Sequence, residues 1–288
     1  MTNNAINSSI PIEVTKGGTQ ASSFVAYAPV VGGVTSTGAL QSVASAGTTG
    51  QVLVSQGASA LPIWAASSGF TNVVVQTFTS SGTYTPTAGM VKCIVEVLGG
   101  GAGGTNAVAS NANQTSVGGG GGAGEYRKSI FDATTIGTSQ VITIGNGGAQ
   151  LTIGGDTTFG SLITSKGGKT SLVGSTSAAP YSNNAGGLVQ NAGQGGNIVV
   201  TPGAPGFDAF GIFTSPNWLF VSGQGANTIY GAGGEGSTVS GNIPANYNGI
   251  NAEGYGSGGG GGASLTGGGP ATGGTGAPGL VIVTEFIA

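Results

Sequence analysis

The sequence predicts an all-β protein in two parts: an N-terminal extended β or stalk segment over residues 1–69, and a glycine-rich, β-sandwich-like domain over 70–288. Three observations predict it. Short β-branched and aromatic runs recur along the 288 residues, and no convincing amphipathic helical pattern stands between Gly99 and Gly279. In addition, 51 of the 62 glycines fall from Gly99 onward, in runs such as 118–122 and 258–262. Glycine loses more conformational freedom on folding than any other residue, so runs like these are either disordered or form an ordered backbone surface where a Cβ would obstruct. Their placement between strong strands, with a strand closing the chain, favours order.

In chain order, the first 68 residues carry small apolar islands in a Ser, Thr, Ala and Gly background: Phe24-Val25-Ala26-Tyr27, Gln51-Val52-Leu53-Val54 and Leu61-Pro62-Ile63-Trp64. The islands are too short for helices, and one copy alone buries little of them; intertwined copies would bury more, and a flexible leader is the competing reading. From Phe70 the pattern changes. Val73-Val74-Val75-Gln76-Thr77-Phe78 is strand-like, and residues 91–98 alternate, with Val91, Cys93, Val95 and Val97 on one side and Lys92, Ile94, Glu96 and Leu98 on the other. Val141-Ile142-Thr143-Ile144 and residues 280–286 are further strands, the last pinning the C-terminus in a sheet. The glycine runs between them read in two ways. They are plain loops, or they are polyglycine helices of three residues per turn, which lack internal hydrogen bonds and must bond to neighbours.

Composition excludes several function classes. Charged residues make up 5% of the chain against about 25% in ordinary domains, and the net charge of −3 argues against a basic nucleic-acid surface. Cys93 is the single cysteine and histidine is absent, which removes intrachain disulfides, histidine bases and ordinary zinc sites. No cofactor is expected. With no 18-residue apolar span and no signal-like N-terminus, membrane insertion is not expected either.

Motifs that resemble chemistry do not hold up. Gly99-x-Gly101-x-x-Gly104 follows a strand, but no helix opens on its third glycine, as a dinucleotide site requires. Gly168-Lys169-Thr170 mimics a phosphate loop whose first glycine is replaced by Ile163. Asp132, Asp156, Asp208, Glu235 and Glu253 stand isolated, without the paired spacing of a glycosidase, so no enzyme is expected. The aromatic stretch 206–221 stands out instead. Phe207, Phe210, Phe213, Asn217, Trp218 and Phe220, with Tyr230 beyond it, are the candidate recognition residues, because large rings on loops bury area at low entropic cost. The alternative is that these rings cap a core. Pro216, Asn217 and the glycines are expected to prevent one regular strand across the stretch.

The chain resembles phage tail fibre and receptor-binding proteins with a glycine-rich distal domain. Near the N-terminus the resemblance lies in Thr15-Lys16-Gly17-Gly18-Thr19-Gln20-Ala21-Ser22, where Gln20 replaces the usual glycine. It continues in Gly47-Thr48-Thr49-Gly50-Gln51-Val52-Leu53-Val54-Ser55-Gln56-Gly57 with Pro62 and Trp64. Further on it lies in Phe78-Thr79-Ser80-Ser81-Gly82-Thr83-Tyr84, in the glycines around Ala102 and Ala123, and in the closing strand. The resemblance implies a homotrimer of the virion tail, attached to other tail or baseplate proteins through residues 1–69. It also implies a distal part that contacts a bacterial outer-membrane protein or surface glycan without catalysis. A structural connector or decoration subunit is the alternative. The variable loops would be 105–117, 175–194, 203–230 and 237–253.

Overall fold

The structure, a computed structural model, describes residues 19, 21, 23–32, 38–58, 60–67, 69–171, 177–178, 181–184, 193–214, 217–241 and 243–288; the side chains of 177, 178, 181–184, 213, 214 and 218 lie outside the description. It is predominantly β-sheet in several sheets, with little helix. Met1–Gly69 and Phe70–Ala288 form two compact units.

In the first unit β1 (Val30–Val31) pairs with β2 (Gln41–Ser42), and β3 (Gln51–Val54) with β4 (Ile63–Ala66). The turn into β3 is closed by the Gln51 carboxamide, which accepts from the Thr48 amide at 2.8 Å. The Trp64 indole donates to the Ser45 carbonyl at 2.9 Å and lies over Gly47, where a Cβ would come within 2.7 Å of the ring. Gly47, Gln51 and Trp64 therefore serve one small turn-and-hairpin. Among the described residues of this unit only Val43 is a buried hydrophobic, while Tyr27, Val30, Val52, Leu53 and Ile63 are exposed. Most of the Thr15–Ser22 element lies outside the described residues.

The second unit begins with β5 (Asn72–Phe78), β6 (Gly82–Tyr84), β7 (Met90–Leu98), β8 (Gln114–Val117) and β9 (Tyr126–Asp132). A single helical turn, α1 (Ala133–Ile136), leads to β10 (Gln140–Thr143), β11 (Thr157–Phe159), β12 (Ile163–Ser165), β13 (Ser177–Ala178), β14 (Tyr181–Asn184) and β15 (Val199–Thr201). Then come β16 (Ala209–Thr214), β17 (Asn217–Val221), β18 (Thr238–Gly241), β19 (Ala245–Tyr247), β20 (Ala263–Leu265) and β21 (Leu280–Ile287).

Two sheets share the main core. One has the order β15-β9-β7-β21-β5, antiparallel throughout, with the C-terminal β21 paired on both sides. The other runs β12-β11-β10-β6. The alternation in β7 puts Cys93, Val95 and Val97 fully inside, opposite Glu285, Val283 and Val281 of β21. They pack with Tyr84, Ile142, Phe159 and Ile163 from the second sheet and with Ile136 of α1. Val91 shares their parity but is exposed at the start of the strand. Burial of each such large side chain stabilises by about 1.5–3 kcal/mol. Two further sheets, β13-β8-β20-β19 and β14-β16-β17-β18, are joined by a smaller core of Val117, Ala209, Phe220, Ala263 and Leu265.

The glycine segments lie outside these ladders, and their hydrogen bonds follow a period of three. From 99 to 105, Gly99, Ala102 and Thr105 donate to the carbonyls of Glu125, Gly122 and Gly119. Gly100 and Gly103 donate to Gly155 and Thr152, while Gly101 and Gly104 donate to Ala277 and Gly274. Each donor step of three moves the acceptor by three along one neighbour, so one segment bonds to three others. The segment 118–125 repeats the pattern: Gly118, Gly121 and Gly124 reach Gly262, Gly259 and Gly256, and Gly120 and Ala123 reach Phe207 and Ala204. Its third neighbour receives Gly122 and Glu125, at Lys169 and Lys166. A buried backbone without partners would cost heavily, and this arrangement supplies them without side chains. Close approach explains the glycines. A Cβ at Gly101 would sit 1.9 Å from the Ser257 carbonyl oxygen, at Gly258 1.9 Å from that of Gly121, and at Gly104 2.1 Å from that of Gly260.

Candidate functional site

The aromatic stretch is a β-hairpin. β16 and β17 pair from Phe210↔Val221 to Thr214↔Asn217, with 215 and 216 outside the described residues. Of the interruptions that the sequence predicts, Gly211 lies within β16 and Asn217 opens β17. Strand alternation then sorts the rings. Ala209 and Phe220 point into the smaller core, with Phe220 fully buried against Tyr247 at a ring separation of 5.8 Å. Phe220 is thus corrected from a recognition residue to the root of the hairpin, because its parity on β17 faces the β8–β20 sheet. Phe210, Ile212 and Leu219 are exposed on the opposite face, where Ile212 pairs with Leu219. Phe213 pairs in register with Trp218, and Asn217 is exposed at the start of β17.

A cleft of ≈ 430 Å³ opens where this sheet meets the glycine lattice. Its lining includes Phe207, Asp208, Phe210, Gln224, Glu235 and Thr238. Phe210, Val221 and Thr238 form one row across β16, β17 and β18. The walls are pinned by backbone: the Phe207 amide donates to Gln224 at 2.9 Å, its carbonyl accepts from Gly120 at 3.1 Å, and Gly225 donates to Gly234 at 2.9 Å. Phe207 nonetheless keeps 59% of its surface exposed.

Tyr230 lies elsewhere, on the outer face of the five-stranded sheet. Its hydroxyl and that of Tyr126 donate to the same Glu96 oxygen at 2.7 and 2.5 Å, and Lys128 pairs with the other oxygen at 3.2 Å. Burial alone would raise the Glu96 carboxyl, but these hydrogen bonds hold it below the usual carboxylate range. The Tyr230 hydroxyl is pushed up to about 12, by burial first and then by its bond to Glu96. Beside this cluster an apolar cleft of ≈ 320 Å³ is lined by Leu98, Ala123, Tyr126, Pro202 and Ile229 among others. Tyr230 therefore does not join Phe207 and Phe210 in one site; its hydroxyl tethers a turn to the sheet.

The motif-like segments have structural duties. Gly99, Gly101 and Gly104 are lattice residues, and the Lys169 carbonyl accepts from Gly122. Among the described residues no group of three His, Cys, Asp or Glu is arranged to hold a metal, and no helix is long and apolar enough to cross a membrane. Asp132 pairs with Lys92, Asp156 with Lys166 at 2.7 Å, and Glu125 with Arg127 at 2.7 Å. The thiol of buried Cys93 is pushed up to about 11, chiefly by burial.

A family model for the glycine-rich domain matches residues 73–285, the span of the lattice and both cores. The chain belongs to the glycine-rich domain family. No curated protein matches it. In this glycine-rich domain, residue reading missed Ile212 and Leu219 as surface residues and Glu235 as a neighbour of Phe207. The first two are legible from alternation once the hairpin turn is fixed; the third depends on long-range lattice bonds that leave no local pattern.

Proposed function

We propose that this chain is a non-catalytic host-recognition protein of a phage tail fibre, working as a homotrimer. Residues 1–69 would attach it to other tail or baseplate proteins, and the glycine-rich domain would meet a bacterial outer-membrane protein or surface glycan. In this reading the glycine segments are packed polyglycine II helices within a β-sandwich-like domain. The observation that carries the proposal is the hairpin sheet held by the lattice. Phe220 roots it, the backbone around Phe207 is hydrogen-bonded on both sides, and Phe210, Ile212 and Leu219 remain exposed. A preorganised apolar surface binds without the cost of ordering a loop, and three copies raise modest single-site affinity by effective concentration. Asn217 has the strand parity of Leu219 and completes the candidate surface, whereas Phe213 and Trp218, paired with each other, have the parity of Phe220.

The test uses purified protein and susceptible cells. Wild type is expected to bind cells and block phage adsorption. Phe210→Ser with Leu219→Ser is expected to reduce binding at least tenfold with unchanged melting temperature and oligomeric state, whereas Phe220→Ala should unfold the hairpin sheet. A folded trimer that neither binds nor blocks contradicts the reading and favours a connector or decoration subunit of the tail.

A further inference from the structure

We propose that the apolar cleft beside Tyr126 receives the Phe70–Val75 edge of a second copy of this chain, joining the glycine-rich domains head to tail. This rests on the homotrimer proposed above and names the contact that builds it. The two features lie at opposite edges of one sheet, β15-β9-β7-β21-β5. At one edge Leu98, Tyr126 and Thr201 form a row across β7, β9 and β15, and with Pro202 and Ile229 they line the ≈ 320 Å³ cleft. At the other edge Phe70, Val73 and Val75 each keep more than half of their surface exposed, and the Phe70 ring lies on Phe286 at a centroid separation of 5.0 Å. No lining residue of the cleft is charged, and no residue from Phe70 to Phe78 is. Burying one in the other therefore leaves no charge uncompensated. Solvent-facing edge strands are usually short or carry charges or proline. β15 fits that rule, with three residues followed by Pro202. β5 does not: it has seven residues, none of them charged, proline or glycine.

The presence of both features on one chain selects a second copy over another protein. A different protein seated in the cleft would leave the β5 edge open on every copy. A head-to-tail contact through unlike surfaces covers both on every copy once a ring closes. Both surfaces are also held in place. The Thr71 amide donates to the Ile287 carbonyl at 2.7 Å and fixes the entry to β5. Across the cleft, Ala123 donates to Ala204 at 2.9 Å and Thr228 to Gly231 at 2.9 Å, and a Cβ at Gly203 would lie 1.9 Å from the Ala123 oxygen. Surfaces formed in advance associate without the cost of ordering a loop.

The direct experiment oxidises full-length protein carrying Val73→Cys and Thr201→Cys, and reads it on a denaturing gel without reductant. Within one chain these positions sit four strand spacings apart, about 19 Å, beyond the roughly 7 Å between Cα atoms that a disulfide spans. The native Cys93 is buried. The double variant is expected to give covalent trimers, and neither single variant any cross-link. A double variant that stays uncross-linked while both added thiols react with a maleimide, or single variants that cross-link equally, would overturn the interface. Hydrogen exchange gives a second readout that needs no cysteine. Phe70→Ser is expected to speed exchange at Thr228 and Ile229 at least tenfold and to leave Val95 unchanged; unaltered exchange at the cleft would also overturn it. A wild-type trimer whose double variant does not cross-link loses this interface and keeps its stoichiometry, and a wild-type monomer loses both. A cross-linked trimer that does not bind cells loses the recognition reading alone.

Discussion

Between the two main sheets, Tyr84, Ile142 and Phe159 fill space with side chains. In the glycine lattice a few residues away, Gly99, Ala102 and Thr105 fill it with backbone, each bonded to one neighbour while the residues between them bond to two more. Both regions bury their polar groups in pairs, but the first excludes water by side-chain volume and the second by the lack of it. The lesson is that rigidity here has two sources with opposite mutational sensitivities. The core is harmed by losing atoms and the lattice by gaining them.

The largest expected effect lies in the core. Phe159→Ala removes a fully buried ring that packs on Tyr84 at 5.4 Å, and should cost about 4 kcal/mol in a denaturant titration. Gly258→Ala adds one methyl in the lattice against the Gly121 carbonyl and should cost about 3 kcal/mol, since neighbouring backbone must move. A neutral Gly258→Ala would break the comparison, because backbone clearance would then not be limiting.

Much of this division was readable in the sequence, though unevenly. The alternation in 91–98 placed Cys93, Val95 and Val97 inside, and the closing strand was plain from its β-branched run. The period of three was not legible, because any spacing in a run of glycines fits any register; it becomes visible only in which carbonyl each amide reaches. Glu285 was hidden for a related reason. It sits in an apolar-looking terminal strand, fully buried opposite Cys93, and its partners Gln76, Tyr84 and Thr87 are about 200 residues away in sequence. Local pattern assigned the Phe220 ring to the surface, and only pairing with β18 and packing on β8 and β20 turned it inward.

Glu285 sharpens the comparison as a carboxylate set into the side-chain core. Burial pushes its pKa up, but the Thr87 hydroxyl and amide, the Tyr84 hydroxyl and Gln76 hold it below its ordinary value of 4.5. A folded value below the unfolded one gives stability that is full above pH 4.5 and lost as pH falls through the folded value. Glu285→Gln should therefore destabilise by about 2 kcal/mol at pH 7. Wild-type and variant stability curves should converge in acid, which melting curves across pH would read; parallel curves would refute the assignment. The smallest effect is expected at Gly82, in β6, where nothing lies within 4 Å of an added Cβ. Gly82→Ala should change stability by no more than about 0.5–1 kcal/mol, in the stabilising direction, which shows that glycine as such is not what the domain requires.

The most direct test of the lattice is amide hydrogen exchange, residue by residue, at Gly101, Ala102, Gly104, Gly121, Gly124 and Gly259. The three-neighbour hydrogen bonding predicts protection equal to that of Val95 and Val283 in the central strands. Exchange at the rate of an open glycine loop would contradict it.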